Sequence, residues 1–241
     1  MQPLKIFIGY DEREPDAYDV CAHTLRKHTS IPLAISALVQ PRLRKAGLFT
    51  RPEEENQHFS TQFAMTRFLV PLICDFKGMA LFVDCDFMFN RDIADIIQHV
   101  STQNAVSVVK HDYVPRATFK MDGQPQTRYP RKNWSSLMWF NNERCKILSH
   151  DVVNDSSPAA LHQFKLFRDE EIGALPQEWN WLEGDYDWPH DGTLPAAVHF
   201  TNGGPWFADH RSVRFGDIWE YNLAEVAAER EARQQQEKND E

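Results

Sequence analysis

The chain has 241 residues, 42% of them hydrophobic and rich in Trp (7) and Phe (16), enough for one large core or two small ones. Its formal net charge of -9 argues against a general nucleic-acid binder, which neutralises phosphates with Lys and Arg, but is compatible with one bound nucleotide. Four scattered cysteines (21, 74, 85, 145) without a Cys-x-x-Cys pair, no basic-then-apolar leader, and no apolar run near the ~18 residues of a membrane span predict a cytoplasmic protein with reduced, buried thiols.

In chain order, "LKIFIGY" (4–10) reads as a buried first strand that ends near Gly9. Pro15 opens a helix over 15–28, with Ala17, Val20, Cys21, Thr24 and Leu25 on one face. "PLAISALV" (32–39) is a second strand, and strand–helix–strand predicts a parallel sheet covered by helices. A polar excursion (about 40–58) precedes a helical segment over 60–75, which Pro71 kinks or breaks. "MALFVDCDF" (79–87) reads as a third strand, "DIADIIQHV" as a helix and "NAVSVVK" (104–110) as a fourth strand. A long loop covers 111–133, followed by a strand at 135–140, a short helix near 143–148 and a helix at 157–167. "AAVHF" (196–200) is a late strand that ends in a Gly-Gly-Pro turn. We expect one domain over 1–221, with 222–241 as a charged helix or frayed tail.

The feature that asks for chemistry is "FVDCDFMF" (82–89), with Asp84 and Asp86 inside an apolar run. Strand alternation puts both carboxylates on one face, with Cys85 on the other. Two like charges so placed need compensation, and hard oxygen ligands at the C-terminal edge of an α/β sheet suit Mg2+, Mn2+ or Ca2+. The plain alternative is a pair of turn aspartates near the helix that begins at Asp92.

"TRFLVPLICDFKGMALFVDCDFMFNRDI" resembles the central motif of the GT-A glycosyltransferases, above all the retaining enzymes of glycosyltransferase family 8. "FIGYD" is similar to that family's first strand and nucleotide-binding turn, and "HFTNGGPW" to its late His-x-x-Gly-x-x-Lys-Pro-Trp signature, so the likeness spans most of 4–207. The resemblance implies an α/β, GT-A-like fold with a mostly parallel sheet. It makes Asp84, Asp86 and His199 ligands of Mn2+ (or Mg2+), the imidazole favouring manganese. It puts Arg67 beside the donor's sugar and phosphate, and Gly9, Tyr10 and Asp11 at base and ribose. Ser135 and Ser136 fall at the donor's hydroxyls, and Gly203 and Gly204 at its diphosphate. "FRDEEIGALPQEWNW" resembles the family's Asp-Gln-Asp stretch, which places Asp169 and Glu170 near the reacting sugar. The chain departs from the pattern in several places: Gly204 stands where a Lys precedes Pro-Trp, in a segment one residue shorter, the Gly of the Asn-Ser-Gly segment is replaced, and Glu170 stands where the family has an amide. Either another cation meets the diphosphate, Arg211 or one from 116–132, or the donor is handled differently.

The implied reaction is transfer of a sugar from a nucleoside diphosphate sugar, UDP being the common choice, to a hydroxyl of a glycan or other acceptor, with retention of anomeric configuration. Trp134, Trp139, Trp179, Trp181 and Trp188 could stack on sugar rings or simply fill the core. Two rivals stand beside this reading. One is a GT-A-like domain that binds without turnover. The other is a haloacid-dehalogenase-type phosphatase, whose motif wants Thr or Val where Met88 stands.

Overall fold

The computed structural model describes residues 2–56, 59–112, 129–187 and 192–240. β1 (Leu4–Gly9), β2 (Leu33–Leu38), β3 (Met79–Val83), β5 (Val106–Val109), β6 (Leu137–Asn141) and β7 (Ile172–Leu175) form one sheet in the order β2-β1-β3-β6-β5-β7. β6 alone runs against its neighbours and the other pairings are parallel, so this is the mostly parallel α/β sheet expected. β3 and β5 are buried along nearly their whole length, because helices and loops cover both faces. A smaller sheet, β4 (Phe87–Phe89), β9 (Ala197–His199) and β8 (Trp181–Leu182), lies in the order β4-β9-β8.

α1 (Pro15–His28) buries the predicted stripe of Ala17, Val20, Cys21, Thr24 and Leu25, and Ala22 with it. The Thr24 hydroxyl accepts from the Phe89 amide at 3.1 Å and so ties this helix to β4. The excursion after β2 contains α2 (Gln40–Lys45) and α3 (Glu53–Asn56). Residues 60–75 are not one helix: turns lead into a 3₁₀ segment at Thr66–Leu69, and then α4 (Val70–Ile73) starts afresh with Pro71 in its first turn. A proline without an N–H suits a helix start better than its interior. "DIADIIQHV" also coils as 3₁₀, over Ile93–His99, and where a short helix was expected near 143–148 there is a single 3₁₀ turn at Asn142–Arg144, with α5 (His150–Asp155) following later. α6 (Pro158–His162) is shorter than predicted, and β7 and β8 went unforeseen because each is only a few residues long. Most of the predicted 111–133 loop, and Trp188, fall outside the described residues.

α7 (Gly216–Asp240) runs unbroken through the boundary expected at 221/222. Trp219, Asn222 and Val226 are buried, Lys27 and His23 pair with Glu225 at 2.5 and 2.9 Å, and Arg230 pairs with Asp19. The charged segment is therefore a helix, docked on α1 through about Arg230. All four cysteines are buried and free. Among the described residues no helix is long and apolar enough to cross a membrane.

Candidate active site

The strand predicted over 79–87 breaks at the aspartates. β3 stops at Val83, residues 84–86 turn, and the chain re-enters as β4 in the smaller sheet. The Asp84 amide still donates to Ser136 at 2.9 Å, which extends the β3–β6 pairing by one residue. Beyond the turn, Phe87 lies opposite His199 in the antiparallel β4–β9 register, and the Phe200 amide donates to the Asp86 carbonyl at 3.0 Å. That register brings a distant imidazole to the aspartates: one donor atom from each of Asp84, Asp86 and His199 lies within 4.8 Å of the other two. The convergence read from strand alternation is real, but a turn and a second sheet produce it.

Arg67 is buried in the 3₁₀ segment, with its guanidinium flanked by the rings of Phe63 and Phe82. It donates to the carbonyls of Ala64 and Ser135 and pairs with Asp84 Oδ1 at 2.8 Å. It thus holds a carboxylate in place with its own charge. His199 stacks on Phe87, with ring centroids 4.4 Å apart, and its Nε2 lies 3.3 Å from Asp86 Oδ2. Its Nδ1 faces Asn180 Oδ1 at 2.8 Å. The set fits a divalent cation on two observations. Asp86 Oδ1 is buried with no hydrogen-bond partner, and two hard carboxylates and an imidazole face one point.

Electrostatics agree with a site that lacks one positive charge. Burial, with the Asp86 charge adding to it, pushes Asp84 up to about 7 despite Arg67 and His199. Glu14 lies close by, 2% exposed, and burial together with the charges of Asp86 and Asp11 carries it up to about 8. Burial and neighbouring His199 push His111 down to about 3, so this ring is neutral at ordinary pH; its Nδ1 meets the Tyr186 hydroxyl at 2.6 Å. Burial raises the Tyr129 phenol, which also feels the opposed charges of Arg67 and Asp84, so Tyr129 belongs to the same neighbourhood. Lys132, 6% exposed, sits 5.0 Å above the Tyr129 ring.

The other expected residues make contacts within the chain or lie at its surface. Ser135 Oγ meets His162 Nδ1 at 2.8 Å, and Ser136 Oγ donates to the Asn133 carbonyl at 2.7 Å. Asp11 is fully buried and accepts from the Arg13 amide and side chain and from the Gln62 amide. Burial alone would raise it, but these bonds together hold it below the usual carboxylate value. Tyr10 follows β1 and packs edge-on against Tyr18. A Cβ on Gly9 would lie 2.4 Å from the Phe63 ring, so this glycine admits an aromatic side chain. Gly203 (φ +116°) and Gly204 are closed over by the rings of His210 and Trp206. Asp169 and Glu170 are exposed and pair with Arg131 and Arg168. They precede β7, which β6 and β5 separate from β3, and no described contact joins them to the three clustered residues. Trp139 and Trp179 are core residues, while Trp134 lies under the cations of Lys110 and Arg131.

Sequence reasoning passed over Glu14, Asn180, His111 and Tyr129, and reached Lys132 only as one of the cations in 116–132. Only "EWNW" offered a signal, a lone amide beside the stretch already in view.

No family model matches the chain. Among solved structures, the apo form of the bifunctional glycosyltransferase WbbM superposes with a TM-score of 0.62 at 16% identity, over 92% of this chain and 50% of WbbM. The chain thus spans half the length of that protein. An active-site mutant of LgtC superposes at 0.59 and 12% identity, over 92% of this chain and 96% of LgtC; another structure of LgtC, a galactosyltransferase, holds donor and acceptor sugar analogs. At such identities the likeness establishes the fold alone, which is that of the GT-A glycosyltransferases. The Arabidopsis thaliana protein CDI is 45% identical over 230 residues, which cover 92% of this chain and 88% of CDI. An identity this high over nearly all of both chains is decisive: the chain belongs to the family of protein CDI.

Proposed function

We propose that the chain transfers a hexosyl group from a nucleoside diphosphate sugar, a UDP-sugar first among candidates, to a hydroxyl of a glycan or similar acceptor. Asp84, Asp86 and His199 would hold a divalent cation, Mn2+ in preference to Mg2+. We read the chain as a retaining enzyme of the family 8 type that works in the cytoplasm, where its four free thiols stay reduced. One observation carries this reading: on a GT-A fold, two carboxylates and an imidazole converge within 4.8 Å beside a buried carboxylate oxygen that nothing in the described chain satisfies.

When bound, the cation supplies Lewis-acid stabilisation to the departing diphosphate. Arg67 aims Asp84 and offsets part of the cost of its burial, and its role is to complete the site more than to touch the sugar. Lys132, buried beside Tyr129, is our choice for the cation that replaces the Lys absent before Pro205, since Arg211 lies exposed. Its charge then stands where negative charge develops. The anomeric C–O bond to the diphosphate breaks, the acceptor oxygen bonds the same carbon from the same face, and the acceptor's proton passes to the freed diphosphate oxygen. Asp169 and Glu170, paired at the surface, take no part in this scheme.

The test is a thermal-shift screen of UDP-, GDP- and CMP-sugars with and without Mn2+, followed by mass-spectrometric detection of nucleoside diphosphate release. We expect a Mn2+-dependent shift with one nucleotide class, and its loss in Asp84→Asn and Asp86→Asn. Unchanged turnover in both variants would sink the metal's role. A second reading, donor binding without turnover, draws on the surface position of Asp169 and Glu170. Tight, Mn2+-dependent donor binding with neither hydrolysis nor transfer would select it.

A further inference from the structure

We infer that Asn180 is a positioning residue that fixes the tautomer of His199 and thereby sets the affinity of the site for its cation. The inference rests on the metal reading given above. Asn180 ends a 3₁₀ segment (Gln177–Asn180) directly before β8 and is completely buried. Its amide orientation follows from its neighbours. The Asn133 main-chain oxygen can only accept, and it lies 3.2 Å from Nδ2. Ser136 Oγ gives its own proton to that same oxygen at 2.7 Å, so it can only accept from Nδ2, at 2.8 Å. Both contacts require the nitrogen on that side, which leaves Oδ1 against His199 Nδ1 at 2.8 Å. A carboxamide oxygen accepts, so Nδ1 carries the proton.

The consequence falls on the other ring nitrogen. In neutral His199 the lone pair sits on Nε2, 3.3 Å from Asp86 Oδ2, two acceptors face to face. A proton on Nε2 or a cation beside the two atoms relieves that contact. Phe87, stacked on the imidazole with ring planes 17° apart, keeps the ring from turning out of line. The backbone is fixed as well: Leu182 and His199 are register partners, the Glu183 amide donates to the His199 carbonyl, and the Asn133 side chain donates to Thr201 Oγ1. Asn180 therefore presents a metal-ready nitrogen to the aspartates. Without it the neutral ring is free to carry its proton on Nε2, which cannot bind a cation.

The experiment is calorimetric titration of the full chain with MnCl2 in the parent, Asn180→Ala and Asn180→Asp, with thermal melting of each metal-free protein. Loss of such an outer partner weakens metal binding about 10–100-fold, and we expect that for Asn180→Ala. Asn180→Asp keeps an acceptor for Nδ1–H and, as the neutral acid, a hydroxyl in place of Nδ2 to donate to the Asn133 carbonyl or Ser136 Oγ, so it should bind Mn2+ within about fivefold of the parent, a rescue that a purely structural role would not give. A folded Asn180→Ala protein with affinity within about threefold of the parent overturns the inference, as does equal loss in both variants. If Asn180→Ala does not fold, Ser136→Ala decides. It removes one of the two acceptors that orient the amide and should weaken binding about three- to tenfold, and unchanged affinity there is equally fatal. A parent that binds no Mn2+ defeats the metal reading itself, a result distinct from these.

Discussion

Glu14 offers a sharp test of the electrostatics around the aspartates because it is not among the three converging residues. It stands at the N-cap of α1, yet its carboxyl makes no capping bond and is turned inward, 2% exposed, with Oε1 lacking a hydrogen-bond partner. Burial first, then the charges of Asp86 and Asp11, move it from 4.5 to about 8 against the pull of Arg13. A raised acid means that the folded state holds the proton over a window in which the unfolded chain has lost it. Stability therefore falls as pH rises from about 4.5 towards 8 and levels off above that. At 1.36 kcal/mol per pH unit the full window corresponds to about 5 kcal/mol, of which ~3.5 kcal/mol lies between pH 5 and 8. For a chain of this size that is roughly 7–14 °C in Tm. Glu14→Gln removes the titration while keeping the shape. We expect metal-free parent and variant to melt within a few degrees of each other near pH 5, and the variant to melt clearly higher at pH 8. The assay is differential scanning calorimetry in EDTA at half-unit pH steps. Parallel curves for the two proteins across that range would refute the reasoning.

Arg67→Met leaves Asp84 buried without its charge partner and should lower stability by about 3–5 kcal/mol in urea unfolding; less than about 1 kcal/mol would mean the pair is not buried in solution. His111, depressed to about 3, is neutral in the folded chain and protonates first in the unfolded one, so stability is lost as pH falls from 6.5 towards 3. His111→Gln should flatten that acid limb in calorimetric melts, and an unchanged limb would tell against the buried neutral ring. Lys132→Ala should weaken UDP-sugar binding in the presence of Mn2+ about 10–100-fold, the range for losing a charged hydrogen-bond donor. Equal affinity would return the search for the diphosphate's cation to Arg211.

The central strands were legible because burial on both faces writes itself as continuous apolar runs, as in "LKIFIG" and "MALFV", and α1 because its buried side recurs at helical spacing. The metal-type cluster was legible from residue chemistry and a family resemblance, although the local geometry imagined for it was wrong. An apolar run through Phe89 does not announce that it changes sheets at Asp84. Pro71 was read as a kink or a break, and the structure shows the break, with the proline in the first turn of a new helix. The supporting residues were illegible for a different reason. Glu14 sits in "DEREP", a stretch that reads as solvated surface, and becomes unusual only once Trp206 and the Asp84–Asp86 turn are folded over it. Asn180 has an ordinary sequence context, and its meaning comes from partners as far apart in the chain as His111 and His199.

Two aspartates in an apolar run have a physical resolution in how unevenly the chain compensates them. Asp84 receives Arg67, while Asp86 receives an imidazole that Asn180 directs to meet it with a lone pair. Beneath them Glu14 and Asp11 add carboxyls, and the nearby cation of Arg13 is spent on Asp11. A fold under selection for stability alone would replace such a cluster with apolar side chains, since buried charges that lack partners are a net burden. Keeping it makes sense if a cation arrives to join Asp86 and His199. Binding then draws strength from the relief of repulsion already built into the folded chain, and Mn2+ should stabilise the parent more at pH 8, where Asp84 and Glu14 are losing their protons, than at pH 5.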